Sequence, residues 1–138
     1  MKRHHTPAGV LAAALFGPCL LAGAAQATDT FEQAKITAGQ SLFNQECRRC
    51  HAPDADHASY GPPLAGVVGR KAGTYPDFEY SEALANSGIV WTPAALRAWM
   101  EDNTGFMPGT RMRHVGITDP TVQDFILSYL ESLPPATQ

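Results

Sequence analysis

The stretch CRRCH at residues 47–51 is the feature of this 138-residue sequence that most limits how it can fold. Two cysteines three positions apart, followed at once by a histidine, can belong to a zinc site, a redox dithiol or a covalent haem attachment site. Each possibility demands a different arrangement of the rest of the chain, so the remaining sequence decides among them.

The surrounding sequence argues against zinc and against a dithiol. Zinc commonly takes four ligands from two separated pairs, and here no second cysteine pair exists and His57 and His114 are poorly spaced to replace one. A dithiol of the thioredoxin type usually sits near a βαβ unit, and no strand pattern is visible. Haem attachment remains, because C-x-x-C-H is its pattern: two sulfurs hold one edge of the macrocycle and His51 lies beneath the iron.

The N-terminus has the organisation of an export signal. A basic stretch at 2–5 precedes an apolar run over 10–25, and small residues follow where a signal peptidase cleaves. We predict a signal peptide over 1–27, cleaved after Ala27, and a mature domain over 28–138 in the periplasm. An uncleaved membrane anchor is the alternative, although the run is short of the ~20 apolar residues that span a bilayer.

Composition favours one small packed domain of acidic character. Charged residues make up 17% and hydrophobic residues 44% of the sequence, which permits a core. The formal charge is −3, from 10 basic and 13 acidic residues. Loss of Lys2 and Arg3 with the signal would leave 8 basic residues and a charge of −5. This balance argues against a general nucleic-acid binder.

Apolar residues recur at helical spacing in several stretches, and no convincing alternating strand pattern appears. A first helix is predicted over residues 29–46, with Thr30 as its N-cap, and a short second helix over 77–86. The stretch 103–116, which is rich in glycine and proline, is predicted to be irregular.

Two further predicted helices begin at strong capping sequences, Thr92-Pro93 and Thr118-Asp119-Pro120. The last carries an apolar stripe formed by Val122, Phe125, Ile126, Tyr129, Leu130 and Leu133. The chain is therefore expected to be all-α with unusually long loops. Loops of that length need something to pack against, and a large apolar cofactor would supply it.

A sixth ligand for the iron has five candidates: Met100, Met107, Met112, His57 and His114. Met100 lies within a predicted helix, and Met107 precedes Pro108 and is readily explained as packing. Met112 ends the stretch PGTRM at 108–112, where proline and glycine can stiffen an irregular loop. These considerations favour Met112 over Met107 only modestly.

Further motifs resemble class I cytochromes c of the mitochondrial and bacterial periplasmic type. They are GQSLF at 39–43, GPPLAGVVGRKAG at 61–73, FEYS at 78–81, GIVW at 88–91, PGTRM at 108–112 and the terminal helix with Tyr129-Leu130. Together with CRRCH they run in the family's order and cover nearly all of the mature chain. The resemblance implies the cytochrome c fold, with about four to five short helices and long loops around one covalent haem c.

The resemblance also implies roles at the haem. Cys47 and Cys50 match the thioether cysteines, and His51 and Met112 match the proximal and distal iron ligands. Pro62 matches the proline whose carbonyl accepts the N–H of the proximal imidazole, a bond that fixes the ring.

Other matched positions concern the haem surroundings. Three match residues that hold the haem propionates: Arg70, Tyr80 and Trp91. Four match the contact between the first and last helices: Gly39, Phe43, Ile126 and Tyr129. Trp99 stands where relatives often carry a tyrosine near the distal methionine; since the hydroxyl is lost, we interpret Trp99 as a packing residue. His114 replaces an aromatic residue and is interpreted as a solvated loop histidine or a pH-sensitive group near the haem edge.

The expected function is electron carriage and not catalysis, because an iron with two protein ligands has no vacant position for a substrate. His/Met ligation raises the potential, since the thioether favours Fe(II). Expected partners are redox proteins of a respiratory or photosynthetic chain: a membrane cytochrome complex, an oxidase, a reaction centre or a dehydrogenase. No nucleic acid, no small-molecule substrate and a monomer are expected.

Two alternatives to a free carrier stay open. In the first, a labile Met112 would open the iron for a peroxidase or gas-sensing role. In the second, the domain serves a single dedicated dehydrogenase. For docking, we expect a cationic rim around the haem edge on an acidic body, although these residues are alternatively ordinary solvated charges. The rim consists of Arg48, Arg49, Lys71, Arg111 and Arg113.

Overall fold

The computed structural model describes residues 1, 22–51 and 60–135. Within these ranges the chain forms five helices: α1 (Ala22–Glu46), α2 (Glu82–Ala85), α3 (Pro93–Glu101), α4 (Asn103–Phe106) and α5 (Pro120–Ser132). An isolated antiparallel bridge joins Lys71 to Val90. The predicted all-α class is therefore confirmed, and much of the described chain outside the helices is loop.

Helix α1 is longer than predicted. It begins at Ala22 and not near residue 29, so Thr30 lies inside the helix and its prediction as the N-cap is wrong. The added turns are rich in alanine, the residue with the highest helix propensity. The predicted cleavage site after Ala27 falls within α1, whereas residues 2–21 lie outside the described part of the chain. No helix among the described residues has the length and apolar character needed to cross a membrane.

The core forms where α1 crosses α5. Phe43 and Ile126 are completely buried, and the ring of Phe43 packs against that of Tyr129 with centroids 5.2 Å apart. Gly39 permits this approach, because a Cβ at that position would collide with the carbonyl of Phe125. The predicted contact between the first and last helices is thus confirmed.

Capping residues set the starts of α3 and α5 as predicted. The side chain of Thr92 accepts a hydrogen bond from the N–H of Ala95, and Asp119 accepts one from the N–H of Thr121 at 2.8 Å. A proline occupies the first turn of each helix, where its missing N–H costs nothing. The apolar side of α3 is buried through Leu96, Trp99 and Met100.

Two sequence predictions about the intervening chain are wrong. Only Glu82–Ala85 of the predicted helix 77–86 is helical, because Asp77 adopts a left-handed φ of 54° and the helix begins only after its cap, Ser81. The stretch predicted to be irregular contains α4, which Asp102 caps through a 2.9 Å bond from Gly105 N–H. Bonds from Gly105 and Thr104 hold the pKa of Asp102 below its ordinary value.

The close contact at Gly39 provides a test of the packing. Replacing Gly39 by alanine should lower the free energy of unfolding by about 1–3 kcal/mol, because the new Cβ forces α1 away from α5. Intrinsic helix propensity would act in the opposite direction, by about 1 kcal/mol. Urea denaturation of the haem-loaded protein measures the change, with the exposed neighbour Gln40→Ala as the control. A Gly39→Ala protein as stable as the parent would contradict the contact.

Candidate functional site

The end of α1 positions both cysteines of the CRRCH stretch. The N–H of Cys47 bonds to Phe43 O at 2.9 Å, which continues the helix, and the N–H groups of Cys50 and His51 both bond to Cys47 O. The resulting turn brings the two cysteines and His51 to one corner of the fold. Cys47 is half-buried and Cys50 is exposed, and they are not joined as a disulfide.

The chemistry of Cys47 does not suit a redox dithiol. Burial, reinforced by the charge of Glu46, raises the pKa of its thiol to about 12. The nucleophile in thiol–disulfide exchange is the thiolate, and redox-active cysteines have a lowered pKa. A half-buried thiol that stays protonated fits a residue whose sulfur is consumed in a structural thioether.

A hydrogen bond fixes the ring of His51. Its Nδ1 lies 2.9 Å from the carbonyl oxygen of Pro62, and since a carbonyl can only accept, Nδ1 carries the proton. The other ring nitrogen, Nε2, therefore keeps a free lone pair. Burial is the main reason that the pKa of His51 is lowered, which favours the neutral ring that a metal requires.

The loop that follows encloses the same ring. The N–H of Gly61 bonds to Cys50 O at 2.7 Å and closes the loop onto the CRRCH turn. A Cβ at Gly61 would collide with the imidazole of His51, so only glycine allows the backbone this close. The Gly-Pro-Pro motif marked this stretch in the sequence, but it did not indicate that the glycine packs against the imidazole of His51.

Three polar contacts hold Met112, the other predicted iron ligand, in place. The indole N–H of Trp99 donates to Met112 Sδ at 3.0 Å. The side-chain amide of Asn103, itself buried, donates to Met112 O at 2.8 Å, and Met112 N–H donates to the Thr110 hydroxyl at 3.3 Å. The thioether is half-buried, whereas Met107 and Met100 are 6% and 8% exposed within the hydrophobic core.

The contact from Trp99 corrects the sequence interpretation of that residue. Trp99 is buried as expected of a packing residue, but its indole N–H also donates a hydrogen bond to the sulfur of Met112. The sequence could have indicated this hydrogen bond, because Trp99 lies on the predicted buried side of α3 and a buried indole N–H needs a partner. Asn103 was missed because the stretch around it was predicted to be irregular.

The structure brings the three predicted propionate-binding residues together. The backbone of Trp91 pairs with Arg70 O, at 2.9 Å, and the guanidinium of Arg70 lies over the ring of Tyr75, 5.1 Å from its centroid. The hydroxyl of Tyr80 accepts a hydrogen bond from Tyr75 N–H at 3.3 Å. Two donors of Arg70 are already used by the carbonyls of Ala65 and Pro63.

The assembled groups fit a covalently held haem. One free pair of thiols stands at the end of α1, one imidazole offers an unprotonated nitrogen, and one thioether is held by a donor that leaves it a second lone pair. The class that this fold and site define is a protein that carries covalently attached haem.

Comparison with known proteins agrees with this class. The family model described as Cytochrome c matches residues 36–134. Cytochrome c2 of Rhodopila globiformis is 43% identical over 95 residues, covering 69% of this chain and 90% of that protein. Cytochrome c-550 of Bradyrhizobium diazoefficiens is 42% identical over 85 residues, covering 61% of this chain and 62% of that protein.

A solved structure gives the same result. Cytochrome cH from Methylobacterium extorquens is 39% identical, with a TM-score of 0.65, and the match covers 70% of this chain and 97% of that one. The chain belongs to the cytochrome c family. It carries haem c bound through Cys47 and Cys50, and it is an electron carrier that serves redox partner proteins. The haem supplies a one-electron iron couple.

Proposed function

We propose that the chain is a periplasmic one-electron carrier in which His51 and Met112 are the axial ligands of the haem iron. The observation that carries this proposal is the orientation of both side chains by hydrogen bonds. Pro62 O accepts from His51 at 2.9 Å, and Trp99 donates to Met112 at 3.0 Å. Each bond fixes a side chain while leaving the atom that would bind iron with a free lone pair.

The fixed backbone of Met112 favours a carrier over an enzyme or gas sensor. Its carbonyl and its N–H are both bonded, to Asn103 and Thr110, so the thioether is not on a free loop. A ligand that stays in place leaves no position for peroxide or a gas. A site that is already ordered also needs little rearrangement when the iron changes charge, which suits rapid electron exchange.

The donors near Arg70 support a propionate-binding role. Arg70, Tyr80 and Trp91 carry a guanidinium, a phenol and an indole group, respectively. The hydrogen bond from Trp91 N–H to Arg70 O, and the contacts of Arg70 and Tyr80 with Tyr75, bring the three residues into one region. Buried carboxylates need such donors. We propose that these three side chains face the propionates.

The proposed location and processing rest on the sequence. Residues 1–27 run from a basic stretch through an apolar run to small residues, the order of a signal peptide, and we propose cleavage after Ala27. A periplasmic carrier would exchange electrons with proteins of a respiratory or photosynthetic chain. N-terminal sequencing of the exported holoprotein tests this, and a retained N-terminus would favour the anchored alternative.

The ligand assignment is tested by two methionine variants. Met112→Ala should abolish the ferric charge-transfer band that arises from a sulfur–iron bond, because the thioether is gone. Met107→Ala removes a buried core methionine and should leave the band in place, at a stability cost of about 2–5 kcal/mol. Absorption spectra of periplasmically matured protein measure both. Loss of the band in Met107→Ala alone would overturn the assignment.

The indole donor is tested by Trp99→Phe, which keeps an aromatic ring but removes the N–H. A hydrogen bond draws electron density from sulfur, so its loss should make the thioether a better donor and lower the midpoint potential. The fall should be at most about 40 mV, since one hydrogen bond contributes about 1 kcal/mol and a tenfold change is about 59 mV for one electron.

A packing variant controls for that experiment. Phe106 lies edge-on to Trp99, with ring centroids 6.1 Å apart, so Phe106→Leu disturbs the same packing without removing the donor. Protein-film voltammetry should show a nearly unchanged potential for this control. Equal shifts in Phe106→Leu and Trp99→Phe would mean that packing, and not the hydrogen bond, sets the potential.

One residue of the cationic rim, Arg111, is paired with a carboxylate. Arg48, Arg49 and Lys71 are exposed, but Arg111 pairs with Glu79 at 3.1 Å, which reduces its net contribution. Arg113 is exposed and donates to the carbonyls of Thr110 and Met112. We propose that the rim steers acidic partners mainly through the arginines of the CRRCH stretch.

Steering is tested with the small anion ferrocyanide as reductant. Arg48→Gln/Arg49→Gln should slow ferric reduction about threefold or more at low salt, since two charges about 10 Å away contribute roughly 0.8 kcal/mol in water for each negative charge on the anion. The difference should disappear near 1 M salt, where the Debye length is about 3 Å. Stopped-flow absorption measures the rates, and Lys35→Gln/Arg97→Gln removes the same charge from two ion-paired sites. Equal slowing by the control would contradict local steering.

A further inference from the structure

Arg70 carries a half-buried positive charge that no carboxylate of the described chain offsets. Its guanidinium makes no ion pair with an acidic side chain among residues 22–51 and 60–135. Burial is the main cause of the lowered pKa of Arg70, because the charged group has lost part of its hydration. A partly desolvated cation of this kind is stabilised by an anion at hydrogen-bond distance.

Two backbone carbonyls fix the guanidinium along its edge. Arg70 Nη1 donates to Ala65 O at 3.1 Å, and Arg70 Nη2 donates to Pro63 O at 3.2 Å. A guanidinium carries more N–H groups than these two bonds use, so donors remain for another acceptor. The carbonyl of Pro62, the residue before Pro63, accepts from His51 at 2.9 Å. Arg70 therefore lies against the loop that orients the imidazole of the proposed proximal ligand.

The ring of Tyr75 fixes the same guanidinium through its face. The Cζ atom of Arg70 lies 5.1 Å from the centroid of the Tyr75 ring, within the range of a cation–π contact. The two bonds to carbonyls leave the guanidinium free to tilt about the line that joins them, and the ring limits that tilt. The direction of the remaining N–H groups of Arg70 therefore depends on Tyr75.

The backbone of Tyr75 orients a second donor, the hydroxyl of Tyr80. The N–H of Tyr75 donates to the Tyr80 oxygen at 3.3 Å, so the hydroxyl is the acceptor there and its own proton can be donated elsewhere. Burial is the main cause of the raised pKa of Tyr80, which keeps that proton in place. The Tyr80 ring is held by an edge-on contact with Phe78, with centroids 4.8 Å apart. Tyr75 thus contacts both donors, one through its ring and one through its N–H.

The local backbone places Tyr75 where it can make both contacts. On one side, the hydroxyl of Thr74 donates to Lys71 O at 2.7 Å, and on the other side Asp77 adopts a left-handed φ of 54°. The turn between them folds the ring of Tyr75 back onto Arg70. No motif in the sequence marked Tyr75, because its contacts depend on this turn.

We propose that Tyr75 is a positioning residue that directs the free donors of Arg70 and Tyr80 at the carboxylate of a haem propionate. This inference rests on the proposed propionate-binding role of Arg70 and Tyr80. The propionate is the anion that the half-buried guanidinium lacks among the described residues. Tyr75 does not touch the carboxylate in this proposal, and it acts by holding the two groups that do.

The orientation of these donors affects the iron through electrostatics. A carboxylate near the iron favours the ferric state, because oxidation adds a positive charge that the carboxylate attracts. The guanidinium of Arg70 offsets this attraction when it is held against the carboxylate. Without the ring of Tyr75 the guanidinium is held less firmly, so the ferric state becomes more favourable and the midpoint potential falls.

Variants of the haem-loaded, full-length protein test the ring. Tyr75→Leu and Tyr75→Met both remove it, and the methionine fills more of its place. In each, the ratio of ferric to ferrous protein at one electrode potential should rise about two- to threefold, because a partly exposed cation–π contact corresponds to a factor of about two to five. At about 59 mV per tenfold change, this equals a fall of about 18–28 mV. Tyr75→Phe keeps the ring and should keep the parent potential. Protein-film voltammetry at one fixed pH measures all three.

A second cation–π contact provides the matched control. Lys35 Nζ lies 5.8 Å from the centroid of the Phe31 ring on α1, so Phe31→Leu removes a ring from a similar contact and should leave the potential unchanged. The bending mode of the haem propionates in resonance Raman spectra reports their hydrogen bonds directly. It should shift in Tyr75→Leu and not in Phe31→Leu. Failure of either the potential or this mode to move in Tyr75→Leu would overturn the proposal, as would equal changes in Phe31→Leu.

A double variant separates this inference from the proposed function. If the ring of Tyr75 acts through Arg70, Arg70→Gln/Tyr75→Leu should have the potential of Arg70→Gln alone. Additive shifts would overturn the inference, since Tyr75 would then act independently of Arg70. An Arg70→Gln protein with the parent potential and an unshifted propionate mode would overturn more, because the propionate-binding role of Arg70 would itself fail.

Discussion

The close crossing of α1 and α5 is the constraint on which the rest of the structure depends. Gly39 lets the backbone of α1 touch the carbonyl of Phe125, and Phe43 is then buried one turn further along. The N–H groups of Cys47 and Arg48 both bond to Phe43 O, so the anchored helix runs directly into the haem-attachment turn. Covalent attachment at a fixed helix end would limit where the cofactor can lie.

The site shows how one side chain can serve packing and tuning together. Trp99 is part of the core and makes an edge-to-face contact with Trp91, with ring centroids 5.0 Å apart. Its indole N–H still donates a hydrogen bond to the sulfur of Met112. The carbonyl of Pro62 orients the ring of His51 in a corresponding manner. The side chains of both proposed ligands are thus oriented by hydrogen bonds with neighbouring residues.

Much of the fold was predictable from the sequence because its signals are local. Thr92 and Asp119 mark helix starts through short-range capping bonds, and the C-x-x-C-H spacing fixes the attachment chemistry. The failures have equally physical causes. The left-handed backbone of Asp77 shortened a predicted helix, and the contact of Trp99 with Met112 joins residues 13 apart that periodicity cannot relate. The burial of His114 Nδ1 likewise depends on tertiary contacts and has no signature in composition or spacing.

The pair formed by Trp91 and Trp99 has a spectroscopic consequence. The sequence contains two tryptophans, and both lie in this edge-on arrangement at 68° between ring planes. Two indoles at that separation couple their electronic transitions, so the near-ultraviolet circular dichroism of tryptophan reports on their mutual angle. The indole of Trp99 is hydrogen-bonded to Met112, and the backbone of Trp91 is hydrogen-bonded to Arg70. The circular dichroism signal therefore reports, without any added label, whether the region around Met112 and Arg70 keeps its structure.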